Sequence, residues 1–410
     1  MSHTIVLDLG YGDAGKGSVV DWLCASRPVH AVIRFNGGGQ AGHNVVTTDG
    51  RHHTFSQFGS GTLQGVRTHL SRFMIVDPLS MAAEADHLVT LGIADPWTGL
   101  TIDRDAPMAT PYHRAANQAR ERARGDARHG SCGMGIGEAT AYALAHPDLA
   151  PRAGDVLEPE RLGAKLTALR ESVLADFGGL DLPDVEDCLY AYRAFTGLAH
   201  LVDGSYTATL LDGGDCVFEA AQGVLLDEWR GFHPYTTWST TTAHNALELL
   251  DGRPVTTLGV VRTYTTRHGA GPLVTADDEL TDRLPDAYNR EGPWQGGFRA
   301  GHFDAVAHRY AVEVSGGIDA LAVTHADVRN SGLGVCRAYQ EGFVRIEPGT
   351  RGDLDHQAAL TAALATARPI IEPVAPEPGL IGELLDRPVA LVSSGPTAAD
   401  KQVLTGVNIR

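Results

Sequence analysis

The chain has 410 residues, of which 43% are hydrophobic and 20% charged, so it carries enough apolar material for a large folded core. Its net charge of −17 argues against a nucleic-acid-binding surface, because such a surface needs a basic footprint. The five cysteines are scattered without a C-x-x-C pair, which favours a reducing compartment and argues against a structural zinc site. Since no stretch approaches the ~20 apolar residues of a membrane span, we expect a soluble, cytoplasmic protein.

The N-terminal residues predict a strand, a glycine loop, a helix and a second strand. Residues 4–9 form a short apolar run, a helix is expected over 16–25, and residues 29–35 predict the next strand. This order is a βαβ unit, and parallel sheets bind ligands at the loops that follow their strands. The expected fold class is therefore α/β.

The middle of the chain predicts helices instead. Apolar side chains recur at helical spacing between residues 160 and 177. We interpret residues 101–205 as a mostly helical insertion within one domain that spans residues 1–410. Residues 353–376 are expected to form a looser surface segment. Strand-like runs return at 216–219, 257–261, 320–324 and 389–392.

The loop after the first strand reads G-Y-G-D-A-G-K-G-S over residues 10–18. It satisfies the dinucleotide-binding pattern G-x-G-x-x-G. That pattern also requires an acidic residue for the ribose at the end of the second strand, whereas this strand ends at Phe35 and Asn36. The loop also nearly fits the P-loop, except that Gly17 stands where a magnesium-binding Ser or Thr is expected.

A third interpretation of this loop keeps the physics of the P-loop and changes the metal ligand. Glycines let backbone N–H groups converge on phosphate oxygens, and Lys16 adds positive charge. Asp13, inside the loop, is then available to hold magnesium or to take a proton. The alternative is a tight turn in which Asp13 is an ordinary turn former.

A second glycine cluster, R-F-N-G-G-G-Q-A-G-H-N, occupies residues 34–44. Here too the backbone can approach a ligand closely, and His43 offers acid–base chemistry near neutral pH. A lone histidine is usually structural. Beside two glycine loops, a functional role for His43 is the favoured interpretation.

These two segments and five others resemble adenylosuccinate synthetase, and they occur in the order of that family. The resemblance covers nearly the whole chain, and several motifs in one order make it specific. The matching segments are Y-G-D-A-G-K-G-S at 11–18, N-G-G-G-Q-A-G-H-N at 36–44, F-E-A-A-Q-G-V-L-L-D at 218–227, P-Y-T-T at 234–237 with T-T at 241–242, T-R-H-G-A-G-P at 266–272, T-H-A-D at 324–327 and S-G-P at 394–396.

The resemblance implies a P-loop-NTPase-like fold, with a mostly parallel central sheet flanked by helices, and a carbon–nitrogen ligase that uses GTP and Mg²⁺. Asp13 would take a proton from a lactam N–H and contact magnesium together with the Gly42 carbonyl. The lactam oxygen would attack the γ-phosphate of GTP, to which His43 donates, while Gln222 bonds the developing oxyanion. An amine would then displace phosphate. Positioning and charge neutralisation supply most of the catalysis in such a transfer.

The resemblance also assigns the binding residues of this site. GTP contacts are expected at Gly12, Asp13, Ala14, Gly15, Lys16, Gly17, Ser18, Gly42, His43, Asn44, His325, Asp327, Ser394 and Gly395. Substrate contacts are expected at Gln40, Ser131, Cys132, Gln222, Thr237, His268 and Arg299. Asp327 fits guanine because a carboxylate accepts from both N1–H and the 2-amino group. His325 stands where the family has a lysine that packs on the base. A carboxylate that merely ends a strand is the alternative for Asp327.

Two segments depart from the family. The amine loop, T-T-G-R-R-R-R-T-G-W-L-D in the family, reads P-W-Q-G-G-F-R-A-G-H-F-D at 293–304 and keeps only Arg299. Replacement cations considered are Arg267, Arg290 and Arg309. The aromatic residues Trp294 and Phe298 suggest a more apolar amine, or else they pack into the core.

The second departure concerns the 5′-phosphate of the acceptor. The loop at 129–138 reads H-G-S-C-G-M-G-I-G-E, and a single arginine, Arg152, follows it. Cys132 and Met134 are equally well explained as packing residues. We therefore expect a divergent ligase with altered amine and acceptor. An authentic adenylosuccinate synthetase is the alternative.

A non-catalytic GTP-binding protein is a third hypothesis. Retention of Asp13, His43 and Gln222 together argues against it. The resemblance also predicts a homodimer.

Overall fold

The structure is a computed structural model that describes residues 2–125, 128–284, 286, 294–328 and 332–404. Its strands are β1 (His3–Asp8), β2 (Ala31–Arg34), β3 (His43–Val46), β4 (His52–Phe55), β5 (Arg67–Leu70), β6 (Leu100–Asp103), β7 (His200–Val202), β8 (Cys216–Glu219), β9 (Val255–Arg262), β10 (Thr265–His268), β11 (Phe298–Gly301), β12 (Phe303–Asp304), β13 (Ala320–Thr324), β14 (Val335–Tyr339), β15 (Pro369–Glu372), β16 (Val389–Ser393) and β17 (Lys401–Val403).

Helices flank these strands. They are α1 (Lys16–Ser26), α2 (Pro78–Thr90), α3 (Pro111–Arg124), α4 (Ile136–Ala145), α5 (Pro159–Phe177), α6 (Val185–Leu198), α7 (Tyr206–Gly213), α8 (His244–Leu250), α9 (Asp278–Arg283), α10 (Ala305–Val314), α11 (Leu354–Thr366) and α12 (Pro378–Leu385).

The central sheet has ten strands in the order β17-β16-β13-β9-β1-β8-β2-β5-β6-β7. All neighbours pair in parallel except β17, which runs antiparallel to β16 at one edge. β1 lies between β9 and β8, and every residue of β1 is buried. Ile5 and Leu7 pack into the core on one face of the sheet, whereas Val6 packs into the core on the other. A strand covered on both faces explains why its central residues, Ile5–Leu7, are all apolar.

The α/β fold class expected from the sequence is confirmed, as is the mostly parallel central sheet flanked by helices. Strands β8 and β13 occupy the predicted ranges, and α1 follows the glycine loop as predicted. Residues 101–205 contain α3 to α6. The strands at the two ends of this segment, β6 and β7, add to the edge of the central sheet beside β5.

The prediction of a looser segment at 353–376 is wrong. The helix α11 and the strand β15 occupy it. The N-terminus of α11 is capped by Asp353, whose carboxylate accepts a hydrogen bond from the amide of His356. Two of the buried positions of α11 are the polar residues Gln357 and Thr361, so the helix lacks an apolar stripe that would have revealed it. Within the described ranges, no helix is long and apolar enough to cross a membrane.

Candidate functional site

A cavity of about 530 Å³ opens at the carboxyl ends of the central strands. Its walls are formed by the loops that follow β1, β2, β8, β9, β13 and β16. Because these strands are parallel, their following loops meet at one edge of the sheet, which is where open α/β folds bind ligands. The two glycine clusters of the sequence, although on different strands, are thereby brought to one site.

The loop after β1 folds around the carboxylate of Asp8. One oxygen, Oδ1, accepts from the amides of Gly10 at 2.8 Å and Gly12 at 3.3 Å. The other, Oδ2, accepts from the amide of Ala14 at 2.8 Å and from Lys16 Nζ at 3.0 Å. The side chains of Asp8 and Lys16 are almost fully buried. Two amides and the ammonium that the sequence assigns to a phosphate, those of Gly12, Ala14 and Lys16, are thus already bonded within the protein.

Asp13 is half-buried at the crest of this loop and lines the cavity. Its carboxylate makes no hydrogen bond to any of the described residues, while its main-chain oxygen accepts from Arg262 Nε at 2.6 Å. Burial raises the pKa of the Asp13 carboxyl, and the positive charges of Arg262 and Lys16 oppose that rise. A carboxylate with a raised pKa and no protein partner is suited to accept a proton from a ligand.

His43 lines the cavity opposite this loop and is bonded to Glu219, the last residue of β8. The distance from His43 Nδ1 to Glu219 Oε1 is 2.6 Å. Glu219 also accepts from the amide of Ser60 at 2.9 Å and from the Ser60 hydroxyl. The sequence motif F-E-A-A-Q-G contains Glu219, but the sequence assigned it no role because nothing local pairs it with a histidine 176 residues away.

Gly17 explains why the loop departs from the P-loop pattern. A Cβ atom at Gly17 would lie 2.8 Å from the Cβ of His43 and 3.1 Å from Ser60 Oγ. The serine or threonine of a P-loop therefore has no room here. The absence of that side chain is what lets the strand β3, which begins at His43, pack against the start of α1.

Gln222 and Gln40 present unpartnered amides to the same cavity. The Oε1 atom of Gln222 and both side-chain polar atoms of Gln40 are buried and have no hydrogen-bond partner among the described residues. Buried amide atoms are normally paired, so unpaired ones that line a cavity indicate groups available to a ligand. This placement is compatible with the substrate contacts expected at both residues.

The far end of the cavity contains the segment expected to bind a base. His325 follows β13, and Asp327, two residues on, is exposed at the cavity wall. Burial lowers the pKa of His325 well below its usual value, so its ring is neutral. Lys401 Nζ donates to the carbonyl of Gly395 at 3.1 Å and to that of Thr397 at 2.9 Å, which fixes the loop after β16 beside Asp327.

Three predicted site residues have a left-handed backbone. The φ angles are 62° at Asp13, 57° at Gln222 and 56° at His325. The other described non-glycine residues with positive φ, Asp251 and Asp386, are helix C-caps, where this conformation is ordinary. Strained backbone away from helix ends tends to occur at functional sites. The left-handed conformation and the cavity therefore point independently to the same three loops.

Not every predicted residue lies at this cavity. Those that line it are Gly12, Asp13, Gly15, Lys16, Gly17, Ser18, Gln40, Gly42, His43, Asn44, Gln222, His268, His325, Asp327 and Gly395. Those that do not are Ala14, Ser131, Cys132, Thr237, Arg299 and Ser394. Ser131 Oγ accepts from Asn117 Nδ2, and burial raises the pKa of the Cys132 thiol. The substrate contacts expected at Ser131 and Cys132 stay predictions.

The cations proposed for the amine loop are engaged elsewhere. Arg299 donates to the carbonyls of Gly269 and Gly271. Arg267 is buried, donates to three carbonyls and lies 4.4 Å above the Tyr11 ring. Arg309 donates to a carbonyl of α12, and Arg290 falls outside the described residues. Arg267, Arg299 and Arg309, the described members of this set, do not line the cavity.

The aromatic residues of the same loop do not line the cavity either. Trp294 packs against Gly133, where a Cβ atom would lie 2.8 Å from the indole ring, and the Arg122 guanidinium lies over the ring, 4.9 Å from its centroid. Phe298 lies 6.0 Å from the Arg262 guanidinium. The structure therefore favours packing roles for both rings.

A divalent cation would find few protein ligands at this site. The described residues contain no group of three His, Cys, Asp or Glu side chains that could hold a metal. The Asp13 carboxylate, without a protein partner, and the Gly42 carbonyl nevertheless fit magnesium. This ion usually takes one or two carboxylates and completes its shell with water and substrate phosphate.

An α/β fold with glycine-rich loops and an unpartnered carboxylate at the carboxyl ends of parallel strands defines a phosphate-ligand-binding class of protein. Comparison with known proteins identifies the family within this class. Residues 5–375 match the family model of adenylosuccinate synthetase. The adenylosuccinate synthetase of Synechococcus sp. (strain WH7803) is 34% identical over 96% of this chain and 95% of its own length. That of Acidithiobacillus ferrooxidans is 31% identical over 99% of each protein.

Solved structures show the same fold. Adenylosuccinate synthetase from Plasmodium falciparum, solved fully ligated, superposes with a TM-score of 0.82 at 20% identity, over 99% of this chain and 100% of that one. Succinoaminodeoxyadenylate synthetase of cyanophage S-2L, solved with dGMP and dATP bound, superposes with a TM-score of 0.63 at 17% identity. The superposition covers 98% of this chain and 95% of that one. The chain belongs to the adenylosuccinate synthetase family, as its motifs predict, and is a carbon–nitrogen ligase.

Proposed function

We propose that this protein is an adenylosuccinate synthetase, which joins L-aspartate to inosine monophosphate with GTP and Mg²⁺. The observation that carries the proposal is the convergence of Asp13, His43 and Gln222 on one cavity, from three loops that are distant in sequence. Relatives that bear this name match the chain over almost its whole length, which supports the authentic synthetase better than the altered specificity expected from the sequence.

In the proposed reaction, Asp13 accepts the N1 proton of the lactam while the lactam oxygen attacks the γ-phosphorus of GTP. An O–P bond forms, and the bond from phosphorus to the GDP oxygen breaks. His43, which is neutral, and Lys16, which is paired with Asp8, both line the cavity that would hold the transferred group. Gln222 would donate a side-chain N–H to the lactam oxygen. The amine then attacks the same carbon and loses a proton to solvent, and phosphate leaves as the C–N bond forms. Magnesium, held by Asp13 and Gly42, would neutralise phosphate charge.

A ligase for another amine is the second candidate. Aspartate has two carboxylates, and a site offsets their desolvation with fixed cations, for which the guanidinium fork is the best match. Among the described residues, the Lys and Arg side chains that line the cavity are Lys16, Arg262 and Arg283. Lys16 is paired with Asp8, and Arg262 is paired with Asp286 at 3.0 Å. The cavity thus offers little unpaired positive charge for a dicarboxylate.

Steady-state kinetics with inosine monophosphate and a panel of amines separates the two candidates. The panel should contain aspartate, asparagine, alanine, phenylalanine and ammonia, with products identified by mass. The highest kcat/KM with aspartate supports the proposal. A tenfold preference for another amine supports the second candidate. Phosphate release from GTP without an acceptor is the control for uncoupled hydrolysis.

We also propose a homodimer, on the family resemblance. Sedimentation equilibrium at the concentration of the kinetic assays tests this. A mass near 87 kDa, about twice the 43.5 kDa of the chain, is expected. A stable monomer that retains full activity would contradict it.

A further inference from the structure

The backbone around Asp13 is held at three points, and two residues outside the family motif hold it. The Asp8 carboxylate accepts hydrogen bonds from the amides of Gly12 and Ala14, the residues on either side of Asp13. Arg262, at the end of β9, donates to the carbonyl of Asp13 itself. Both Asp8 and Arg262 are more than nine-tenths buried, so their geometry is fixed by packing.

Arg262 is itself immobilised from several sides. Its Nη1 donates to the Tyr264 hydroxyl at 3.0 Å, its Nη2 donates to Asp286 at 3.0 Å, and its guanidinium carbon lies 5.3 Å from the Tyr264 ring centroid. A planar guanidinium with these fixed partners aims its remaining Nε–H in one direction, which is toward the main chain of Asp13.

We propose that Asp8 and Arg262 are positioning residues, which hold Asp13 in its left-handed conformation with its carboxylate at the cavity. The proposal rests on the proposed function, in which Asp13 takes the lactam proton. An aspartate at φ 62° is sterically disfavoured unless its surroundings impose that conformation. The hydrogen bonds to the two amides and to the carbonyl impose it, and among the described residues the carboxylate has no competing partner.

The arrangement separates positioning from nucleotide binding. The amides of Gly10, Gly12 and Ala14 and the ammonium of Lys16 are occupied by Asp8. The first-turn amides of α1 have no partner within the helix and remain for phosphate. Loss of the Asp8 charge would therefore disturb Asp13, a magnesium ligand in the proposed function, while the charge of Lys16, released toward the phosphates, offsets that loss in binding. We expect turnover to fall without a loss of nucleotide affinity.

The test compares Asp8→Asn with Asp155→Asn. Asp155 is a matched control, because it also binds a buried lysine, Lys165 at 2.7 Å, and a main-chain amide, that of Arg152 at 2.7 Å, but does not line the cavity. Three properties are measured on full-length protein: hydrogen exchange of the peptide that covers residues 8–18, calorimetric affinity for Mg·GTP, and kcat.

For Asp8→Asn we expect exchange in residues 8–18 to quicken at least tenfold and kcat to fall about a hundredfold, the scale of a misplaced catalytic group. Affinity for Mg·GTP should stay within threefold of wild type or increase. Asp155→Asn should change none of these. Equal kcat in the two variants, or a loss of GTP affinity that matches the loss of kcat, would overturn the proposal.

Arg262→Lys provides a second variant if Asp8→Asn fails to fold. It keeps the positive charge but cannot supply the Nε–H at the same place, so kcat should fall at least tenfold with unchanged GTP affinity. An unchanged kcat would overturn the role of Arg262. Wild-type protein that is inactive with every amine would contradict the proposed function, whereas faster loop exchange in Asp8→Asn alone would still support the positioning of Asp13.

Discussion

His43 and Glu219 form a hydrogen-bonded pair of 2.6 Å in which the protonation states of both partners are set by burial and by Arg34. Burial and the Arg34 charge lower the pKa of His43 to about 4, against the opposing effect of Glu219. Burial opposes ionisation of Glu219, but Arg34 and His43 outweigh it and lower its pKa to about 2. At neutral pH an ionised Glu219 therefore accepts the Nδ1–H of a neutral imidazole, and Nε2 carries the lone pair.

Replacing Glu219 with Gln should abolish this control of the tautomer. A Gln amide can donate to Nδ1, which would move the imidazole proton to Nε2 and change what His43 offers the phosphoryl group. We expect kcat to fall by roughly 10²–10⁴, the range of a general acid or base. Steady-state kinetics at saturating substrates measure it.

Ser60→Ala is the matched control for Glu219→Gln. It removes one hydroxyl that donates to Glu219 but keeps the bond from His43 and the Ser60 amide. Its kcat should stay within about fivefold of wild type, since a neutral hydrogen bond contributes only about 1 kcal/mol. A Glu219→Gln enzyme as active as Ser60→Ala would refute the role of the pair.

Gly17→Ala should impair turnover through sterics alone. The added Cβ would lie 2.8 Å from the Cβ of His43, so β3 must shift. A displacement of even a fraction of an ångström misplaces the imidazole, and we expect kcat to fall at least tenfold. Overpacking should also lower the free energy of unfolding by roughly 1–3 kcal/mol. Kinetics and urea denaturation measure the two effects.

Gly163→Ala in α5 is the control for that substitution. Its Cβ would meet only Leu189, at an ordinary contact distance of 3.4 Å. Alanine is favoured over glycine within a helix, so stability should rise by up to about 1 kcal/mol with kcat unchanged. A Gly17→Ala enzyme with wild-type kcat would show that the contact with His43 does not matter.

Asp327→Asn should change the preferred nucleotide. The carboxylate can accept from both N1–H and the 2-amino group of guanine, and each charged hydrogen bond contributes roughly 1.5–3 kcal/mol. Loss of one such contact should raise the KM for GTP at least tenfold. An Asn donor should in turn favour the 2-oxo group of xanthosine triphosphate. Competition between GTP, ATP and xanthosine triphosphate measures this, and equal affinity of the wild type for ATP and GTP would refute the assignment.

Local signals in the sequence predicted the loops of the site and the residues Asp13, His43 and Gln222 that they contain. The order strand, glycine loop, helix at the N-terminus is encoded within 26 residues, and the structure has β1 and α1 there. Likewise Asp13, His43 and Gln222 lie within short motifs, so each was found without knowledge of its neighbours. Parallel topology then predicts that loops after neighbouring strands meet at one edge.

The residues that support these loops could not be predicted, because their partners are distant in the chain. Arg262 donates to Asp13 across 249 positions, and Glu219 accepts from His43 across 176. Asp8 is buried at the end of its strand, directly after three apolar residues, and its role appears only when the loop folds back around it. Pairwise geometry of this kind leaves no periodic pattern in a single sequence.

Two buried histidines should make the protein lose stability in mild acid. Burial lowers the pKa of His69 to about 4 and that of His113 to about 3. His69 is held neutral between the hydroxyls of Thr101 and Thr207, at 3.1 Å and 3.0 Å. An unfolded histidine has a pKa near 6.5, so between that value and the folded value the unfolded state binds more protons. Stability is therefore fully present above about pH 7 and declines as the pH falls from 6.5 toward 4.

The size of this decline follows from linkage. Between pH 7.5 and 5.5, each neutral buried histidine should reduce the free energy of unfolding by about 1 kcal/mol. Urea denaturation at the two pH values measures the change for the wild type and for His69→Gln, which keeps a polar amide between the two threonines but cannot titrate. His69→Gln should lose about 1 kcal/mol less than the wild type over this interval. An equal pH dependence for the wild type and His69→Gln would mean that His69 takes up a proton as readily in the folded chain as in the unfolded one.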